Sequence, residues 1–289
     1  MGDREVKIQK LKDYFETRDD VVMAFVFGSQ AEGRVHSGSD WDIAVYFKPE
    51  VEKIEWEEHG REYPEEDHVW SDCREILQSD NVDLVVLNRA PATIADAAIR
   101  GISLVEKDRN LFLRFMLIIT GVAEDFREFT KDYYEIFQRS QSLTPNDADR
   151  LRNVLTFIGE QMQLYGDFNA FDQAQYMNDI HKRNDVERWV ENCMNAAIDI
   201  AKIVLSSELR ATPHAYRESV VKAAFVLHLS EDAASHMERW IKLRNVLAHE
   251  YLDIKWLRIK NFIDESKPYM EQYVESVKRF LEENSADAT

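Results

Sequence analysis

The chain has 289 residues, 45% of them hydrophobic, and carries 54 acidic against 36 basic side chains for a formal charge of −18. That is enough apolar material for one large core or two ordinary ones, and it excludes a disordered chain. The acid excess excludes a general DNA-coating protein, whose phosphate contacts need a basic surface, while a small, local RNA site stays compatible with it.

Nine glycines and six prolines are few for this length and favour long helices over a turn-rich all-β fold. Residues 1–9 are charged and lack the apolar core of a signal peptide. The most apolar stretch, 111–122, contains Arg114 and is too short to span a bilayer, so it reads as a buried helix. The two cysteines, Cys73 and Cys193, form neither a metal-ligand spacing nor a disulfide framework. The expectation is a cytoplasmic protein with reduced thiols and no membrane segment.

Taken in order, residues 4–18 alternate charge with Val6, Ile8, Leu11, Tyr14 and Phe15, an amphipathic helical pattern. Residues 21–27 form a β-branched and aromatic run of strand length, closed by Gly28-Ser29, where a tight turn begins. Residues 30–39 read as a loop, 41–47 as a second strand stopped by Pro49. From 50 to 80, twelve Asp or Glu stand against three Lys or Arg, a run that predicts a solvated face, with a short helix from about 67 to 78. A third strand follows at 82–87, a helix at 92–100 and a short edge strand at 102–106.

From Asn110 onward helical periodicity dominates, with breaks near 143–145, 165–167, 212–213 and 230. Thr144 fits an N-cap with Pro145 at the first helical position, and the domain boundary is set there. The expected architecture is an α+β domain over residues 1–143, with a small mixed sheet and flanking helices in a core at 1–108, followed by an all-α bundle over 144–289.

Two segments carry chemistry. The first runs from Gly28-Ser29 through Gly33, Arg34 and Ser39 to Asp40-Trp41-Asp42. A glycine followed by a small hydroxyl residue at a strand end lets backbone N–H groups approach phosphate. Asp40 and Asp42, two apart on a strand, point to one face, and carboxylates that close repel unless a cation lies between them. Magnesium suits such a site, bound by carboxylates together with substrate phosphates. Asp83 on the third strand supplies a further carboxylate, as a ligand in a two-ion clamp or as a base.

The second segment is Arg244-Asn245-Val246-Leu247-Ala248-His249-Glu250-Tyr251, on a helix expected over 234–252. Arg244 and His249 are about 140° apart around a helix and do not meet side by side, whereas Asn245 and His249, four apart, can. A site using both is expected in a groove where two such helices meet, with a homodimer as one source of the second helix. A histidine moves protons near neutrality, and an arginine fork neutralises a pentacoordinate phosphate. With an RNA 2′-hydroxyl as nucleophile, such a cleavage needs no metal.

The first segment, with Val82-Asp83-Leu84 and the exit to Pro91, resembles the minimal nucleotidyltransferase family of the polymerase-β-like superfamily over roughly residues 1–108. The family often has a basic residue where Glu32 stands, and Arg34 supplies a cation two positions on. The second segment, with 196–201 and Tyr216-Arg217-Glu218, resembles HEPN-domain toxins of the HepT type over roughly 145–285.

The resemblance implies that Asp40, Asp42 and Asp83 hold two Mg2+ ions, that Gly28, Ser29, Arg34 and Ser39 bind ATP, and that Arg244, Asn245 and His249 cleave RNA. In such families a nucleotidyltransferase antitoxin adds AMP to a toxin tyrosine two residues after the motif histidine, here Tyr251. The implied protein is a toxin–antitoxin fusion in which AMP on Tyr251 restrains the ribonuclease. Two other readings cover part of the chain: a small-molecule nucleotidyltransferase of aminoglycoside type with a helical accessory domain, and a non-catalytic HEPN dimerisation or regulatory module.

Overall fold

The computed structural model describes residues 3–33, 39–50, 54–57, 60–139, 142–208, 210–249 and 255–286. By its contacts the chain divides into two units, residues 1–124 and 125–289.

In the first unit, the two runs richest in β-branched and aromatic residues become the central strands. The order is α1 (Asp3–Glu16), β1 (Val21–Phe27), α2 (Gly28–Glu32), β2 (Trp41–Phe47), α3 (Glu66–Leu77), β3 (Val82–Val86), α4 (Ala92–Ile99) and β4 (Ile102–Glu106). The sheet order is β3-β2-β1-β4. β1 pairs antiparallel with β2 and β4, and β2 pairs parallel with β3, which makes the sheet mixed.

Strand alternation assigns the two faces. Val21, Ala24, Val26, Trp41, Ile43, Val45, Val82 and Val86 pack with Ile8, Leu11 and Phe15 of α1 and Val69, Cys73 and Leu77 of α3. The opposite face is covered by the first turns of α5 (Arg109–Arg139), where Phe112 approaches Phe25 and Phe115 meets Tyr46 edge to face. Burying each such large side chain contributes about 1.5–3 kcal/mol. Asp42 and Asp83 therefore emerge on the α5 face, at the end of the sheet where β1 stops.

The second unit takes α5 from Asp125 onward and continues with α6 (Pro145–Gln163), α7 (Tyr165–Asn169), α8 (Gln173–Asn178), α9 (Ile180–Ser207), α10 (Tyr216–Val226), α11 (Glu231–His249) and α12 (Trp256–Ala286). Thr144 caps α6 by accepting from the Asp147 N–H, with Pro145 in the first turn, as the sequence predicts. Asp172 and Gln175 form a reciprocal capping box on α8. The core is built around α9, whose buried positions run on every side of the helix in its second half, including Ala196, Ala197, Ile200, Ala201, Ile203 and Val204. A helix apolar all round belongs at the centre of a bundle. Trp189 and Trp240 lie in this core.

One local expectation changes. Residues 28–32 form α2 rather than a loop, because Gly28 takes φ +64, a value that only glycine tolerates easily, and so turns the chain straight from β1 into helix. Gly33 ends that helix in the left-handed region. The break expected near 165–167 falls at Leu164, where α6 ends and the short helix α7 begins.

The acidic stretch is also less solvated than its composition suggests. Glu55 and Glu57 are buried, Arg61 bridges Glu50 and Glu55, and Arg89 pairs with Glu66. Among the described residues, no helix is long and apolar enough to cross a membrane. Cys73 and Cys193 are free and buried.

Candidate functional sites

The first site lies where three backbone segments meet. Phe27 pairs with Asp42 across β1 and β2, and Asp42 pairs with Asp83 in the parallel register of β2 and β3. In-register residues of adjacent strands point the same way, so the Asp42 and Asp83 side chains are neighbours on one face. Asp42 is half-buried, Asp83 exposed, and Asp40 is exposed just ahead of β2. Burial, then the Asp83 carboxylate, then that of Asp40 push the Asp42 carboxyl above the ordinary range for aspartate.

Gly28 is what lets Asp42 occupy this position. A Cβ at residue 28 would stand 2.1 Å from Asp42 Oδ2, so the carboxylate sits in the space a side chain would fill. Gln30, buried on α2, donates through Nε2 to the Ser39 carbonyl at 3.4 Å, and Arg4 Nε donates to the Gln30 carbonyl at 2.9 Å. These bonds tie the Gly28-Ser29 corner to the segment that leads into Asp40.

The three-carboxylate cage expected from the sequence is not preformed. Among the described residues, no three Asp, Glu, His or Cys side chains stand together closely enough to hold a metal ion unaided. The β2 ladder begins at Trp41, so Asp40 lies ahead of it and acts on Asp42 through charge rather than as a member of a closed cluster. A carboxylate pair on one face, with Asp42 raised by its neighbours, still fits magnesium, which takes one or two protein carboxylates and completes its shell with water and substrate phosphate. Ser29 opens α2, and Ser39 is half-buried beside Asp40. Arg34 lies outside the described residues.

The second site is assembled from four helices of the second unit. Arg244 and His249, on α11, both reach Asp125 of α5: Arg244 Nη1 donates to Asp125 Oδ2 at 3.3 Å, and His249 Nε2 lies 3.2 Å from the same oxygen. Arg244 Nε donates to Asn195 Oδ1 of α9 at 2.7 Å, and Nη1 also approaches Asn245 Oδ1 at 3.3 Å. The guanidinium lies over the Tyr216 ring of α10 at 5.2 Å, a cation–π contact, and the Tyr216 hydroxyl donates to the Asp125 carbonyl at 2.6 Å. Phe126 and Phe129 meet the Tyr216 ring edge to face.

The Arg244 and His249 side chains are 12% and 14% exposed and Asp125 is 40% exposed, so the carboxylate is the most open member of the cluster. The hydrogen bond from His249, opposed by burial and aided by the Arg244 charge, holds the Asp125 carboxyl below its ordinary range. Burial pushes the Tyr216 phenol upward, out of reach of titration. Arg244 Nη2 makes no hydrogen bond among the described residues, which leaves one arm of the fork for an anion.

The 140° separation is thus resolved within one chain. Within the chain, Asp125 of α5 bridges Arg244 and His249. Asn245 is buried and accepts from Arg244. Asp125, Asn195 and Tyr216 were not singled out as site residues in the sequence; the only available signal was Tyr216, in a segment already noted as matching. Tyr251 lies outside the described residues.

Comparison with known proteins follows the same division. Residues 9–110 match the family model "Polymerase beta, Nucleotidyltransferase", and residues 158–277 match "Ribonuclease HepT-like". The chain is 21% identical over 130 residues to the mRNA nuclease HepT of Shewanella oneidensis, an alignment covering 45% of this chain and 94% of that protein. It is also similar, at 21% identity and a TM-score of 0.33, to a crystal structure of a toxin–antitoxin with AMP-PNP, covering 45% of this chain and 94% of that one.

Proposed function

Starting from a chain that joins a nucleotidyltransferase domain to a HepT-like HEPN domain, we propose that the first domain transfers AMP from Mg·ATP to Tyr251 and that this modification restrains an RNA-cleaving site in the second, making the protein a toxin–antitoxin fusion. The observation that carries the reading is the meeting of Arg244 and His249 at one carboxylate oxygen. A proton-transfer group beside a cationic fork with a free arm is the arrangement phosphodiester cleavage needs.

In that cleavage the ribose 2′-oxygen bonds to the adjacent phosphorus as His249 takes its proton. The bond from phosphorus to the 5′-oxygen breaks, and the leaving oxygen collects a proton. The products are a 2′,3′-cyclic phosphate and a 5′-hydroxyl. Arg244 offsets the charge that gathers on the phosphoryl oxygens.

In the first domain Asp42 and Asp83, with Asp40 nearby, are the residues that would hold magnesium. When bound, magnesium neutralises the triphosphate and orients its α-phosphorus. Gly28 keeps Asp42 in place, while Gln30 and Arg4 fix the backbone between the Gly-Ser corner and Ser39. The Tyr251 phenol oxygen bonds to the α-phosphorus, its proton passes to a carboxylate of the site, and pyrophosphate leaves.

Tyr251 follows His249 by two residues in the sequence. An adenylate there sets a bulky anion against Arg244. Covalent fusion raises the effective concentration of each domain at the other, and the same transfer between copies obeys the same chemistry. The test is to incubate the purified protein with Mg·ATP and map its tryptic peptides by mass. The expected result is an AMP adduct on the Tyr251 peptide that disappears in Tyr251→Phe and in Asp42→Asn. An unmodified Tyr251 peptide under these conditions overturns the transfer reading.

A further inference from the structure

We infer that Asp125 is a positioning residue of the ribonuclease site: it presents His249 to RNA through the other ring nitrogen, and its charge acts as a brake on RNA binding. The role in cleavage rests on the ribonuclease reading above; the placement of the imidazole does not. Arg244 and His249 stand about 140° apart around α11, so the helix alone cannot turn both toward one phosphate. Asp125 Oδ2 accepts from both, at 3.3 and 3.2 Å.

An ionised carboxylate accepts only, so the nitrogen facing it, Nε2, carries the proton, and Nδ1 is left with the lone pair that a general base needs. The Asp125 backbone is fixed independently, by the Tyr216 hydroxyl on its carbonyl. The contacts of Arg244 with Asn195 and Asn245 also survive loss of the carboxylate.

A purely structural account is weak. The Asp125 side chain is 40% exposed, and exposed ion pairs stabilise little. The same carboxylate occupies Arg244 Nη1 and stands, negative, where an RNA phosphate must arrive. Asp125 therefore opposes binding while ordering the base, so its removal affects binding and turnover in opposite directions. Asp132 and Asp199 also act on Tyr216, and both are paired with Lys202.

The experiment uses the full chain, never exposed to nucleotide, with a short single-stranded RNA and the same oligonucleotide carrying 2′-deoxyribose at every position. Asp125→Asn is expected to lower kcat on the order of 10²-fold, less than loss of His249 itself, while binding the uncleavable oligonucleotide about 2- to 5-fold more tightly. Asp125→Glu is expected to restore part of kcat. Wild-type kcat in Asp125→Asn, or parallel loss of kcat and binding, overturns the inference.

Independently of cleavage, nitrogen-15 spectra of the His249 ring, assigned with His249→Gln, are expected to show the Nε2–H tautomer in the wild type and a mixture in Asp125→Ala. An unchanged tautomer pattern overturns the positioning role whether or not RNA is cut. A changed pattern in a protein that cuts no RNA supports the placement of the imidazole and sinks the ribonuclease reading instead.

Discussion

The two sites are built in opposite ways. The nucleotidyltransferase site draws on short, nearly contiguous segments at one end of a sheet, and its charges are left in conflict: Asp42 is raised by burial and by two neighbouring carboxylates. The HEPN site gathers residues from α5, α9, α10 and α11, and its charges are resolved among themselves, with Asp125 lowered by its bonds to His249 and Arg244. One site crowds carboxylates together; the other pairs its carboxylate with an arginine and a histidine. Electrostatic strain in the first and electrostatic satisfaction in the second predict that equal-looking substitutions have unequal consequences.

The largest contrast is in activity. Under the proposed reading, His249→Ala or Arg244→Ala lowers RNA cleavage by on the order of 10²–10⁴-fold, measured with unmodified protein and a fluorescent RNA. Their thermal unfolding separates the two roles: Arg244→Ala leaves Asn195 and Asp125 without a charged partner and lowers Tm, whereas His249→Ala changes it less.

Asp42→Asn probes the strained site. It abolishes AMP transfer, yet Tm stays level or rises, because a carboxyl with a raised folded-state pKa opposes folding at neutral pH when ionised. A fall in Tm would mean that Asp42 is a structural acceptor and that the conflict described above is absent. Gly28→Ala loses transfer and stability together, by about 1 kcal/mol or more, since a positive φ is combined with a Cβ placed on Asp42 Oδ2. Chemical denaturation of the full chain, followed by tryptophan fluorescence, measures it.

The smallest effect is in acid. The folded-state pKa of Asp125 lies below its unfolded value, so its contribution is present above about pH 4 and is lost as pH falls through the folded value. Asp125→Asn is expected to lower Tm slightly across the neutral range and to flatten the fall in acid, so that variant and wild type converge at low pH, measured by Tm against pH.

The same contrast explains what could be read from the amino acids alone. The strands at 21–27 and 41–47, the Thr144 cap and the Gly28–Asp42–Asp83 set are local patterns, and each reappears in the fold. Alternation in a strand fixes which side chains share a face once pairing is guessed. Asp125 and Asn195 had no such signal. One sits among many acids on a long amphipathic helix, and the other on a helix whose pattern speaks only of burial. Their roles arise from helix packing across 119 and 49 residues of sequence, which no local period encodes. The misread loop at Gly28 has a plainer cause: glycine marks both turns and left-handed starts, and only the neighbouring carboxylate reveals which is meant.

The position of Asp125 has a practical corollary. It lies 33 residues ahead of the span that matches the ribonuclease family, which begins at residue 158, and on a helix whose first half belongs to the other unit. Excising the C-terminal half at that border, or at Pro145, yields a fragment that keeps Arg244 and His249 but loses the side chain joining them. Minimal versions of the C-terminal half should therefore begin no later than the middle of α5.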